Sequence, residues 1–293
     1  MEVNDQTLGV LRDLLINALS HDNNTRKNAE NYIKTQEMQT GFPVLVLTLI
    51  QRLIHVPNPS PQDMAIRQSA AVLFKNIVKK HWSSDEDDDN ASKLISLSDK
   101  EVIKAHLVEL MTTSTPDVQK QLAEAVSLVA KHDFPEHWQN LLPQLINKLE
   151  AEDITIKKGV MLTANSIMKR FRYVYKSDDL YRELLTCLAY LQEPLLKHFQ
   201  QNFVLIQQFA SNKASLLVLF ETQRLICRVF FSLNWQDIPE YFEDHIAEWM
   251  TEFARYLNYT NPLLVDADNE DEPGPIELLQ AAIIENISFY VNR

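Results

Sequence analysis

Four times along the chain an acidic residue is followed within a turn by a basic one and then by a small one. The phrases are Asp22-Asn23-Asn24-Thr25-Arg26 with Ala29, Asp63-Met64-Ala65-Ile66-Arg67 with Ala70, Pro116-Asp117-Val118-Gln119-Lys120 with Ala123, and Asp153-Ile154-Thr155-Ile156-Lys157 with Gly159. Each reads as a helix start. The Asp accepts hydrogen bonds from N–H groups that a first turn leaves unpaired, and the small residue lets a second helix approach closely. The basic positions Arg26, Arg67, Lys120 and Lys157 are separated by 41, 53 and 37 residues.

A period of roughly 40–47 residues is that of HEAT and armadillo repeats, the longer interval holding an insertion. Such a repeat cannot bury its apolar face alone and stacks on its neighbours, which makes a surface and no single central pocket. The predicted fold class is all-α, a right-handed α-α superhelix of HEAT type with about six helix pairs. Helical spacing supports it, as in Leu8, Leu11, Leu14, Leu15 and Leu19, or Ile66, Ala70, Leu73, Phe74 and Ile77. Glycine points the same way: four in 293 residues leave no room for a dinucleotide fingerprint, a P-loop or a turn-rich β fold.

The predicted outer helices are 5–19, 42–55, 98–113, 135–149, 177–200 and 237–257. The inner ones are 22–37, 62–82, 116–132, 153–175, 213–233 and 274–292. Pro43, Pro116, Pro135 and Pro239 are placed in first turns, where a missing N–H is harmless, and Pro143 and Pro194 are expected to kink or break their helices.

The formal net charge of -12 is concentrated in two places. Asp85 to Asp89 and Asp266 to Glu272 hold ten of the 40 acidic residues, leaving 30 against 28 basic ones elsewhere. Runs of like charge without apolar residues read as solvated loops, at 83–90 and 266–272. The domain organisation read from the chain is 1–82, an acidic loop at 83–97, and 98–293 with the later repeats.

Chemistry-bearing constellations are scarce. His132 and His137 flank a helix break in Lys131-His132-Asp133-Phe134-Pro135-Glu136-His137-Trp138, without the spacing of a metal site. The same stretch reads as a tight junction, with Asp133 capping, Pro135 opening a helix, and Phe134 and Trp138 packing together. Cys187 and Cys227 lie on apolar helix faces with no basic group beside them, as structural cysteines do. The expectation is a chain that is no enzyme, with no metal and no cofactor. The apolar runs are too short to cross a bilayer, the N-terminus lacks signal-peptide character, and two unpaired cysteines suit a reducing compartment, nucleus or cytosol.

Basic residues gather on two inner helices. Gln68, Lys75, Asn76 and Lys79 fall near one face of helix 62–82, while Lys157, Lys158, Lys169, Arg170 and Arg172 mark helix 153–175. Either face is a solvated surface or the wall that meets an acidic or polar protein partner. Phe171, Tyr173 and Tyr175 interleave the second cluster in a manner open to RNA binding, against which the acidic balance argues.

The stretch Ala70-Ala71-Val72-Leu73-Phe74-Lys75-Asn76-Ile77-Val78-Lys79-Lys80-His81-Trp82 resembles the signature of the importin-β N-terminal domain, an alanine-rich helix running into Lys-Asn and ending near Trp. Gln119 to Leu122, Asp133 to Trp138, Lys169 to Arg172 and Phe230 to Asp244 extend the resemblance along the chain, to the exporting branch of the karyopherin superfamily. That resemblance implies a transport receptor that shuttles between nucleus and cytoplasm. Its implied partners are Ran in the GTP state, importin-α as cargo, and nucleoporins, with neither nucleic acid nor membrane. It also implies that the chain is an N-terminal fragment of a longer solenoid. Carried onto this sequence, it places Ran contacts at Lys75, Asn76 and Lys79, with Gln68 and Gln119 beside them. A generic HEAT scaffold, or a karyopherin with other cargo, is the alternative reading.

Overall fold

A computed structural model describes residues 1–83, 94–265 and 272–292. Both acidic stretches lie largely outside these, at 84–93 and 266–271. Among the described residues there are thirteen α-helices and no strand. They divide into two compact units, Met1–Trp138 and Gln139–Arg293.

The first unit holds α1 (Asp5–Ala18), α2 (Asn23–Gln36), α3 (Phe42–Ile54), α4 (Pro61–His81), α5 (Leu97–Thr113) and α6 (Pro116–Asp133). Consecutive helices pair, and α4 packs on α3, α6 and, less extensively, α1. The small residues of the repeated phrase are buried as expected: Ala29, Ala70 and Ala123 are each 5% exposed or less. The acidic residues cap in different ways. Asp22 is the N-cap of α2 and accepts from Thr25 N at 2.7 Å, whereas Asp63 sits at the third position of α4 in a reciprocal capping box with Ser60. Asp117 follows a Thr115 N-cap. A left-handed Gly41 (φ +87°) opens α3, and its N–H donates to the buried Asp99 carboxylate of α5 at 2.7 Å.

The second unit holds α7 (Leu141–Leu149), α8 (Ile154–Met168), α9 (Asp178–Gln208), α10 (Lys213–Asn234), α11 (Glu240–Asp244), α12 (Ile246–Leu257) and α13 (Pro275–Val291). Here α10 is the hub, packed against α8, α9 and α13. Its Phe230 joins Phe199, Phe242, Trp249 and Phe253 in an aromatic core with centroids 4.3 to 6.3 Å apart.

Several boundaries differ from expectation. Pro135 does not open a helix; it follows a cis Phe134–Pro135 peptide in a turn, and α7 begins only at Leu141. Pro143 is then in the first turn of α7, where its missing N–H costs nothing, and marks no break. Pro194 lies inside α9, which continues through it for 31 residues because Leu191, Leu195 and Leu196 are buried on one face. Helix α8 stops at Met168 and gives way to a 3-10 turn, Lys169–Arg172, whose Phe171 is buried. The single helix expected over 237–257 is two, α11 and α12, broken at His245.

Candidate partner-binding surface

Helix α4 separates its side chains by helical period. Ile66, Ala70, Phe74 and Ile77 are fully buried, while Val72, Lys75 and Asn76 are half-buried and Lys79 is exposed. Among the described residues Lys75 and Lys79 make no ion pair, whereas the adjacent Lys80 lies 3.5 Å from Glu37. Gln68, half-buried one turn before Val72, has an enclosed Oε1 that accepts no hydrogen bond among the described residues. Thus Gln68, Lys75, Asn76 and Lys79 share one polar strip, as their spacing predicts.

Gln119 does not join them. It is 2% exposed, on the packed face of α6 with Val118, Leu122, Ala123 and Val126. The surface of this helix is formed by Asp117, Lys120 and Glu124, with Gln121 half-buried beside them. The signal was in the sequence, since 119, 122, 123 and 126 fall on one helical face with the apolar residues.

The junction stretch is a structural tie. Asp133 is the last residue of α6 and not a cap; its carboxylate accepts from Trp82 Nε1 at 2.9 Å and lies 3.1 Å from Lys104 Nζ. Lys104, 7% exposed, also donates to the His137 carbonyl at 2.8 Å. His132 and His137 are exposed, and no cluster of His, Cys, Asp or Glu among the described residues has the make-up of a metal site. Burial pushes the Cys187 thiol up to about 12 and that of Cys227 up as well, which removes the thiolate needed for nucleophilic chemistry. No helix among the described residues is long and apolar enough to cross a membrane.

Two residues of the second basic cluster are committed to the fold. Arg170 pairs with Glu183, and Arg172 reaches across to α10. Phe171 is buried and so unavailable for base stacking, while Tyr173 and Tyr175 stand 82% and 91% exposed in the loop that follows.

Comparison with known proteins bears on both units. A family model described as Cse1 matches residues 167–293, and one described as the importin-beta N-terminal domain matches residues 29–113, which include the whole α4 strip. The exportin-2 proteins of Pagrus major and Homo sapiens are 38% and 36% identical over 293 residues, all of this chain and 29% of each relative. A solved structure described as the exportin Cse1 in its cargo-free, cytoplasmic state superposes with a TM-score of 0.86 at 32% identity, covering 98% of this chain and 30% of that one. The chain therefore spans about 29% of the length of the curated relatives it matches.

Proposed function

Because the chain belongs to the importin-β superfamily and, within it, to the exportin-2 (Cse1) family, we propose that it is the Ran-engaging region of a nuclear transport receptor. In this reading the receptor binds Ran in its GTP state together with importin-α in the nucleus and releases both in the cytoplasm. The observation that carries it is the α4 strip. Two lysines that make no ion pair among the described residues stand beside an amide on one helix inside the importin-beta N-terminal match.

The chemistry suits recognition without catalysis. Lys75 and Lys79 supply ammonium donors to acidic or carbonyl acceptors, and Asn76 supplies both a donor and an acceptor. A switch protein that changes surface with its nucleotide shifts such an equilibrium only through different affinity in its two states. Hydrolysis takes place on Ran, and this chain contributes binding energy to one state and withholds it from the other.

The test is retention of Ran loaded with GTP or GDP by the immobilised chain and by the full-length receptor. Preference for the GTP form in both supports the reading. Equal retention of the two forms by the full-length receptor refutes it.

A further inference from the structure

The second unit carries a basic and aromatic cluster that the reading above does not use. It joins two of the stretches that stood out in the sequence, Lys169 to Arg172 and Phe230 to Asp244. The buried Phe171 anchors the 3-10 turn, and Arg172 then extends over α10. Its Nε donates to Ser232 Oγ at 2.9 Å, its Nη2 donates to the Arg228 carbonyl at 2.7 Å, and its guanidinium carbon lies 4.8 Å from the Phe231 ring centroid. Gln236, just past α10, donates to the carbonyls of Phe171 at 2.6 Å and Val174 at 3.1 Å. The arginine is therefore held from both directions.

Beside it lies an aromatic ledge. Trp235, 37% exposed, stacks on Phe289 of α13 at 5.8 Å and 21°, and Phe231 meets these two rings at 5.4 and 5.3 Å. Arg228, half-buried one turn before Ser232, makes no ion pair among the described residues. It carries the same charge as Arg172, and the carboxylate that acts on Arg172 from α13 is the exposed Glu285. The cluster thus has two guanidiniums against one acid, next to apolar surface left partly open to water.

A guanidinium fixed by its own hydrogen bonds offers its remaining N–H groups to a carboxylate with little loss of side-chain freedom. Arginine and tryptophan are also among the residue types enriched at the energetic hot spots of protein interfaces. We propose that Arg172, Arg228 and the Trp235–Phe289 ledge dock an acidic segment of a partner protein, with a carboxylate on the arginine pair and an apolar or aromatic side chain on the ledge. Charge complementarity selects this occupant. A nucleic acid strand would need a longer run of cations than two. The inference concerns a different unit from the α4 strip and stands whether or not that strip binds Ran.

Its test is fluorescence anisotropy on the full chain with a labelled peptide of about 12 residues alternating Glu with Phe and Leu. Saturable binding is expected, weakened about tenfold by Arg228→Glu and by a peptide with Gln for Glu. Trp235→Ala is expected to weaken the Phe-bearing peptide and leave a Ser-for-Phe peptide unchanged. Glu285→Lys, at an exposed site, is expected to tighten binding, a change of opposite sign that loss of folding cannot mimic. Arg172 itself is left intact because it ties the 3-10 turn to α10. Equal affinity for the Gln peptide, no response to Arg228→Glu in a folded chain, no tightening with Glu285→Lys, or no saturable binding up to about 1 mM overturns the proposal. Displacement of the peptide by a single-stranded oligouridylate overturns it in favour of RNA.

Discussion

The indole Nε1 of Trp82 donates to the carboxylate of Asp133 at 2.9 Å, joining the C-terminal end of α4 to that of α6. Trp82 is 1% exposed, and Lys104 of α5 approaches the same carboxylate at 3.1 Å. Three helices of the first unit thus meet at one acid. Replacing Asp133 by Ala leaves the buried indole N–H without its acceptor, while Lys104 keeps Glu101 and the His137 carbonyl, and should cost about 1–3 kcal/mol. Asn in its place keeps the indole bond and should cost less. Urea unfolding of the two variants measures the difference. Equal loss in both would show that the indole bond contributes nothing.

In the second unit Gln223 is a three-way connector. It accepts from Asn202 Nδ2 at 2.9 Å and donates to the Phe199 carbonyl at 2.9 Å and the Tyr256 hydroxyl at 2.5 Å. All of these groups are buried. Gln223→Leu preserves approximate volume but strands the Asn202 amide and takes the donor from the Tyr256 hydroxyl, so a loss of about 3 kcal/mol is expected. Tyr256→Phe removes one bond and should cost about 1 kcal/mol. Thermal unfolding by calorimetry ranks the two, and the reverse order would contradict the network.

Acid should weaken the second unit through His198. Its imidazole is 3% exposed, with Nδ1 unpartnered, and desolvation holds it down to about 4; Lys157 and Lys197 add to this, and Glu150, 4.0 Å from Nε2, opposes it. The folded form is therefore neutral while the unfolded chain takes up a proton near the ordinary value of about 6.5. Below that value the unfolded state binds more protons, so stability is lost as pH falls toward about 4, by about 3 kcal/mol in all. His198→Gln should flatten the stability profile between about pH 6.5 and 4. A profile unchanged by the substitution would place the acid sensitivity elsewhere.

How much of this was legible beforehand depended on the range of the interaction. The helical period of α4 assigned Ile66, Ala70, Phe74 and Ile77 to the core and Lys75 and Lys79 to the surface, because both facts follow from one helix alone. Asp133 was read as a local cap because local rules favour it, yet its partners, Trp82 and Lys104, lie 51 and 29 positions away. Pro143 and Pro194 were expected to mark kinks or breaks. Pro143 fell in a first turn, and at Pro194 the helix does not break, its neighbours Leu191, Leu195 and Leu196 being buried. Arg172 looked like free surface charge until Ser232 and the Arg228 carbonyl came within reach of it.

The polar strip of α4 and the buried Gln119 give opposite predictions, and together they test the surface assignment. Lys75→Glu with Lys79→Glu reverses two charges on half-buried and exposed positions that make no ion pair among the described residues, so folding should be unaffected. Affinity for Ran in the GTP state should fall by at least about tenfold, more steeply at low salt where the charges are least screened. Gln119→Ala removes a side chain that is 2% exposed. It should lower the melting temperature and leave the affinity of the folded protein unchanged. Titration calorimetry with Ran·GTP and a thermal melt on each variant separate the two effects. If the double lysine variant binds as tightly as the parent, the partner does not sit on this strip. If Gln119→Ala weakens binding without lowering stability, α6 reaches the partner through a face that is closed in this structure.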